Sequence, residues 1–390
     1  MKIVRVANYV APASGGLRTA LRELGAGYLA AGHVPVLVIP GPRPGREHTE
    51  QGLVITVPGV TVPRTGGYRA ITARRPLRML LDDLEPDRLE VSDRTTLRWT
   101  GKWARRRGVR SVMVSHDSLA GLMEMFRPPG MPVQWLADRL NRASAASFDV
   151  VVYTTAWAGA EFRRLGVPNL IHMPLGVDLT CFHPARRDEG LRSQFAPGGQ
   201  PLLVHCSRLS PEKRPQRAVG ALAELHRRGV PAFLVVAGDG PMRRSLQAQA
   251  GNLPVRFLRH VSDRGLLARL LATADVVLAP GPVETFGLSA LEALASGTPV
   301  VVSNRSALPE VVGPAGIAAA DTDAACADAV QRLLGRDLTE RRRQAREQAE
   351  HFDWPTAVHG FLSAHGLTSA PSCGGAGPPA ISVGSRGTEV

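Results

Sequence analysis

Short apolar runs of strand length recur through the first half of the chain, at residues 2–7, 34–39, 53–57, 88–91, 111–115, 150–153 and 170–173. After the first of them, residues 16–31 bring Leu17, Leu21, Leu24 and Leu29 close to a 3.6-residue period, which predicts an amphipathic helix. Strand, helix, strand in succession is the signature of β-α-β units and a mostly parallel sheet. The pattern restarts after residue 200. Strands are predicted at 202–206, 232–237, 255–258, 276–279 and 300–303, with helices at 216–228, 242–251, 266–272 and 289–296. The fold class is therefore α/β, with two doubly wound, Rossmann-like domains of similar size. Residues 174–199, rich in Pro, Gly and charge, read as a linker. Asp353-Trp354-Pro355 opens a last short helix, and the Pro/Gly/Ser-rich residues from Pro371 onward read as a disordered tail.

Length agrees with two domains: 390 residues against about 150 per domain. With 44% hydrophobic and 21% charged residues, the composition excludes a disordered, collagenous or coiled-coil chain. No apolar run approaches the roughly 18 to 20 residues that span a bilayer. The N-terminus reads directly as a strand, with no secretory signal. Cys181, Cys206, Cys326 and Cys373 form neither a C-x-x-C pair nor a zinc-like Cys/His spacing, so four reduced thiols and no metal are expected.

Charge changes the picture. The net charge is +13, which points to an anionic partner: nucleic acid, phospholipid or a phosphorylated substrate. Of 47 basic residues only Lys2, Lys102 and Lys213 are lysine, a bias that GC-rich codons would also produce. Residues 64–110 hold 13 Arg and Lys against 6 Asp and Glu. A helix over 76–84 would align Leu77, Leu80, Leu81 and Leu84, with Arg74, Arg75 and Arg78 around its start. An ordinary solvated surface helix and a surface that docks on anionic lipid both fit. The stretch lacks the interleaved aromatics and the motif of a nucleic-acid reader.

Four motifs carry candidate chemistry. In the first, the strand at 276–279 ends in a Gly/Pro loop with Glu284, then Phe286-Gly287-Leu288 opens a helix bearing Glu292. Free N–H groups at that helix start would bind an anion, and Gly287 permits close approach. At helical rise Glu284 and Glu292 would lie roughly 12 Å apart, which suits one carboxylate on sugar hydroxyls and the other on a ribose. In the second, Arg208 and Lys213 follow the strand at 202–206, where two cations could neutralise a diphosphate. In the third, Gly15-Gly16 follows the first strand without matching G-x-G-x-x-G, so a dinucleotide site is disfavoured. In the fourth, Ser115-His116-Asp117 ends a first-domain strand and faces the cleft. Gly238-Asp239-Gly240-Pro241 is a turn near the nucleotide, in which Asp239 reads equally as a helix cap.

In this order, over about residues 1–365, the motifs resemble the retaining GT-B glycosyltransferases of family four. Ser14-Gly15-Gly16-Leu17-Arg18, Thr65-Gly66-Gly67-Tyr68-Arg69, Glu90-Val91-Ser92-Asp93-Arg94 and Pro174-Leu175-Gly176-Val177-Asp178 are similar to the actinobacterial GDP-mannose-dependent phosphatidylinositol-mannoside mannosyltransferases. The resemblance implies that Glu284 and His116 lie at the transferred sugar, and that Phe286, Gly287 and Leu288 lie at the sugar–diphosphate junction. It puts Glu292 on the ribose, Arg208 and Lys213 on the diphosphate, Gly15 and Gly16 close to it, and Val261 near the base. Tyr9, Arg18, Tyr68, Arg69 and Asp93 would face the acceptor, with Arg74, Arg75 and Arg78 toward the membrane. It implies mannose transfer from GDP-mannose to a phosphatidylinositol mannoside, α-1,6 to the dimannoside. A transferase of the same fold with another glycolipid, a soluble acceptor or another nucleotide sugar is the alternative.

Retention would come from front-face attack with a phosphate oxygen as base, so no enzyme nucleophile is required. No Asp-x-Asp motif or tightly bound cofactor is expected, and Mg²⁺ assistance in solution is left open. The expected partners are the nucleotide-sugar donor and an anionic lipid acceptor, with no nucleic acid. The protein would be monomeric, cytoplasmic and peripheral on the inner membrane face. The implied division is 1–177 (acceptor side), 178–352 (donor side), a helix over 353–368 returning to the first domain, and a tail over 369–390.

Overall fold

The computed structural model describes residues 1–367 apart from 11–14, 63–66, 117–118, 120–122 and 124–132. The predicted tail, Ser14, Asp117 and Cys373 lie outside the described residues.

In chain order the N-terminal half runs β1 (Lys2–Ala7), α1 (Gly16–Ala30), β2 (Val34–Gly41), β3 (Gly45–Thr49), β4 (Gly52–Pro58), the short pair β5 (Val60–Thr61) and β6 (Arg69–Ala70), and α2 (Arg74–Leu84). It continues through β7 (Arg88–Ser92), α3 (Trp99–Arg106), β8 (Arg110–Ser115), α4 (Val133–Ala145), β9 (Val150–Tyr153), α5 (Ala156–Arg164) and β10 (Leu170–His172). The C-terminal half runs α6 (Glu189–Phe195), β11 (Leu202–Cys206), α7 (Gln216–Arg227), β12 (Phe233–Ala237), α8 (Arg243–Ala250), β13 (Val255–Leu258) and α9 (Arg264–Thr273). It ends with β14 (Val276–Ala279), α10 (Leu288–Ala295), β15 (Val300–Ser303), α11 (Leu308–Val312), β16 (Gly316–Ala319), α12 (Asp323–Leu334), α13 (Leu338–Glu350) and α14 (Trp354–Ala364).

Two sheets result, ordered β10-β9-β8-β7-β1-β2-β4-β3 and β13-β12-β11-β14-β15-β16. Every pairing in both is parallel except β3 with β4. Helices cover both faces, so strands such as β14 and β15 are buried on both sides and read as nearly unbroken apolar runs. Each sheet reverses strand order once, between β1 and β7 and between β11 and β14. Ligands of doubly wound sheets bind at such switch points, beyond the carboxyl ends of the strands.

One strand goes unannounced in the sequence, and two expectations need correction. Gly45–Thr49 is an antiparallel edge strand that no apolar alternation announces, since it is almost wholly exposed. The stretch at 174–199 is not a bare linker: Asp188 caps α6 through the Leu191 N–H (3.0 Å), and Leu175, Val177 and Phe182 join the core. Asp239 does not cap α8; its carboxylate turns onto the Gly240 N–H (2.9 Å).

The last helix crosses back over α1. Gly27 makes this possible, because a Cβ there would stand 2.3 Å from Val358 Cγ2. Arg88 Nε and Arg110 Nε donate to the carbonyls of His365 (2.8 Å) and Ala364 (3.0 Å) at its carboxyl end. Beneath them Glu90 accepts from Arg5 Nε (2.8 Å) and Tyr28 Oη (2.7 Å), with His365 Nε2 at 3.2 Å. Among the described residues no helix is long and apolar enough to cross a membrane.

Candidate active site

Both switch points open onto one cleft. On the C-terminal side, β14 runs into the loop that carries Glu284. Gly287 then takes φ 73° and opens α10 with no side-chain cap, leaving its first N–H groups for an anion. Only glycine fits there: the dihedral is left-handed, and a Cβ would meet Leu308 Cδ2 at 2.1 Å. Opposite, Gly15 opens α1, also without a side-chain cap. A Cβ on Gly16 would lie 3.7 Å from Leu288 Cδ1, so the two glycine turns face each other closely across the cleft.

The cations expected for a diphosphate are present and already engaged. Lys213 Nζ is ion-paired with Glu284 Oε1. Arg208 donates from Nη2 to Glu212 Oε1 (2.5 Å) and from Nε to Ser210 Oγ (3.2 Å). Its guanidinium carbon sits 4.8 Å from the ring centroid of Tyr68, which comes from the other half of the chain. A diphosphate entering here would draw Lys213 from the Glu284 carboxylate and meet the remaining edge of Arg208.

Glu292 lies on α10 and Glu284 before it, so helical rise spans only Leu288 to Glu292 and the expected 12 Å separation does not follow from it. Burial pushes the Glu292 carboxyl up to about 7, against Arg264 and Arg22 and with help from Asp178 and Glu23. Val261 is half-buried against the C-terminal core just after β13. Burial also pushes the His116 imidazole down to about 4, so it is neutral near pH 7. Its Nε2 is 3.2 Å from Ser92 Oγ, and its carbonyl accepts from the hydroxyl of Thr285, next to Glu284. Burial pushes the Cys206 thiol up to about 12, so it stays protonated near pH 7.

In the N-terminal half, the N–H of Tyr9 (φ 57°) donates to the Arg69 carbonyl (3.0 Å), and Arg69 Nη1 reaches the Gly59 carbonyl (2.7 Å). Arg18 is exposed on the first turn of α1. Asp93 does not present its carboxylate to the cleft. It is 7% exposed and accepts from Asn8 Nδ2 (2.9 Å), the Thr95 N–H (2.8 Å) and Thr96 Oγ1 (2.9 Å), holding its own loop. Arg74, Arg75 and Arg78 are exposed on α2, with Met79 beside them, while Leu77 and Leu81 are buried beneath.

The motifs did not reveal a seam between the halves. Glu310 on α11 accepts from the N–H groups of Ala156 (2.7 Å) and Trp157 (3.2 Å) at the start of α5. Thr155 Oγ1 donates to the Thr285 carbonyl (2.8 Å), and Arg264 bridges Asp178 (2.9 Å) and Glu23 (3.4 Å). These are single polar residues in apolar or mixed segments, and only the packing of the two halves pairs them.

Two Rossmann-like domains around a cleft lined with cations and helix N-termini define a glycosyltransferase of the GT-B class. Residues 15–176 match the glycosyl transferase 4-like domain, and residues 187–352 match glycosyl transferases group 1. The GDP-mannose-dependent alpha-(1-6)-phosphatidylinositol dimannoside mannosyltransferase of Mycobacterium tuberculosis is 48% identical, over 96% of this chain and 98% of the relative. The corresponding monomannoside mannosyltransferase of Mycolicibacterium smegmatis is 29% identical over 87% and 90%. The chain thus belongs to the group 1 glycosyl transferase family. The fold is also that of sucrose-phosphate synthase from Thermosynechococcus elongatus (TM-score 0.74, 22% identity, 93% of this chain and 97% of that one). It is shared with an alpha,alpha-trehalose-phosphate synthase of Burkholderia xenovorans (TM-score 0.72, 16% identity, 93% and 100%).

Proposed function

We propose that this protein is a GDP-mannose-dependent α-mannosyltransferase that adds mannose through an α-1,6 link to a phosphatidylinositol dimannoside. The observation that carries the reading is the 48% identity to a dimannoside mannosyltransferase over nearly the whole of both chains. The site supplies what the reaction needs. Lys213, Arg208 and the starts of α1 and α10 take up charge on the diphosphate as the bond from C1 of mannose to its oxygen breaks. The acceptor hydroxyl attacks C1 from the face that GDP leaves, and its proton passes to a phosphate oxygen of the donor. Glu284 and neutral His116 hold the mannosyl hydroxyls, Glu292 the ribose, and Val261 lies by the base.

The acceptor is a membrane lipid, and we infer that α2 meets that surface. Arg74, Arg75 and Arg78 face outward around Met79, as a basic interfacial helix requires. The protein then works at the cytoplasmic face of the membrane without spanning it.

The decisive experiment offers radiolabelled nucleotide sugars, one at a time, with phosphatidylinositol dimannoside. Transfer from GDP-mannose to give a trimannoside is expected. Use of UDP-sugars in its place overturns the donor, and label on a soluble sugar but not on the lipid overturns the acceptor. Vesicles containing phosphatidylinositol should bind the protein in a salt-dependent way that Arg74→Glu/Arg75→Glu/Arg78→Glu abolishes.

A further inference from the structure

Tyr68 and Arg208 come from opposite halves of the chain, yet the guanidinium lies over the ring at 4.8 Å. The ring covers one face of the guanidinium, and Glu212 and Ser210 take Nη2 and Nε. Among the described residues Nη1 makes no hydrogen bond, so the stack and the two hydrogen bonds hold one donor edge of Arg208 ready for an anion. The base of Tyr68 is equally fixed. Its carbonyl accepts from the Val62 N–H (2.8 Å). The next residue, Arg69, accepts from the Tyr9 N–H (3.0 Å), and Ile71 N–H donates to Asn8 Oδ1 (2.8 Å). Asn8 in turn binds the carboxylate of Asp93 (2.9 Å). The ring is thus wired to the ends of β1 and β7, the floor of the acceptor side.

We propose that Tyr68 is a positioning residue that couples the acceptor side to donor affinity: its ring orients Arg208 for the donor's diphosphate. The proposal rests on the assignment of Arg208 to that diphosphate. Anything that displaces the hairpin β5–β6 releases the stack and weakens the donor site. By linkage, donor binding must favour the stacked position of Tyr68 by the same factor.

The test is a thermodynamic cycle on the full chain, with GDP as the probe and calorimetry as the readout. A cation–π contact of this kind predicts that Tyr68→Ala weakens GDP binding about 3- to 30-fold. Tyr68→Phe, which keeps the ring, should stay within about twofold of the parent. In an Arg208→Ala background, Tyr68→Ala should have no further effect on GDP. Equal loss in both backgrounds overturns the coupling, because a merely structural role for Tyr68 would persist without Arg208. So does Tyr68→Phe matching Tyr68→Ala. If Arg208→Ala itself leaves GDP affinity unchanged, the assignment of Arg208 to the diphosphate fails, and the coupling fails with it. Arg208→Ala weakening GDP while Tyr68→Ala does not would leave that assignment standing and overturn this proposal alone.

Discussion

Lys213 and Glu284, 71 residues apart in sequence, form an ion pair at the mouth of the C-terminal switch point. The two residues are assigned to different parts of the donor, so each must let go of the other when the donor binds. Glu284→Gln should therefore split two measurements in opposite directions. GDP, which lacks the sugar, should bind tighter, because Lys213 no longer has a competing carboxylate. A pair this accessible (24% and 19%) is worth about 1 kcal/mol or less, which limits the gain to about fivefold. Turnover with GDP-mannose should fall about 10²- to 10³-fold, the usual cost of losing one electrostatic contact at the reacting centre. Calorimetry with GDP and steady-state kinetics on the same preparation check both arms.

Glu292 gives a pH dependence whose sign is fixed. Burial raises its carboxyl from the ordinary 4.5 to about 7, so between these values the folded state binds more protons than the unfolded one. Stability contributed by this residue must then fall as pH rises through that window. Glu292→Gln removes the effect: the variant should melt several degrees above the parent at pH 8, and the gap should close by pH 4. On the proposed assignment of Glu292 to the ribose, whose hydroxyls donate best to the ionised form, the parent's KM for the donor should drop from pH 6 to pH 8 while that of Glu292→Gln stays flat.

Much of this arrangement was legible in the chain because parallel strands buried on both faces leave apolar runs, as in the three valines that open Val300–Ser303. The glycines and charges at strand ends were legible for the same reason: they fall at the switch points that the strand order creates. Gly45–Thr49 was not, since its strand character comes wholly from pairing with β4. The polar partners of Asp93 hid its structural role, because a carboxylate near a strand end reads alike whether it faces a ligand or its own loop. Contacts such as Glu310 with Ala156, 154 residues apart, carry no local pattern at all.

The buried cluster under α14 predicts a stability effect remote from the cleft. Arg5 and Glu90 are each 1% exposed. Burial opposes ionisation of Glu90, but Arg5, His365 and Tyr28 more than reverse it and hold the carboxyl well below its usual range. Its contribution is present above about pH 4.5 and fades as pH falls below that value. Glu90→Gln leaves Arg5 buried without a counter-charge, which should cost about 3–5 kcal/mol. Denaturant unfolding should register that loss. A conservative Tyr28→Phe, which removes one neutral hydrogen bond to a charged partner, should cost about 1.5–3 kcal/mol.

Glu310 offers the clearest test of the seam. Its two carboxylate oxygens accept from the first N–H groups of α5, a cap supplied to a helix of one half by the other. The same seam holds the loop of Glu284 through Thr285, which bonds both Thr155 and His116, while within the C-terminal half the Ala307 N–H donates to the Glu284 carbonyl (2.9 Å). Replacing an N-terminal cap by alanine costs about 0.5–2 kcal/mol. Glu310→Ala should accordingly melt a few degrees below the parent. On the proposed placement of the donor across this seam, the variant binds GDP more weakly, so a fixed concentration of GDP should raise its melting temperature less than it raises the parent's. In kinetics the variant should show a raised KM for GDP-mannose with kcat little changed, because the cap orders the loop without touching the sugar. An equal gain from GDP in both proteins, with an unchanged KM, would mean that the cap supports α5 alone and leaves the donor loop to order itself.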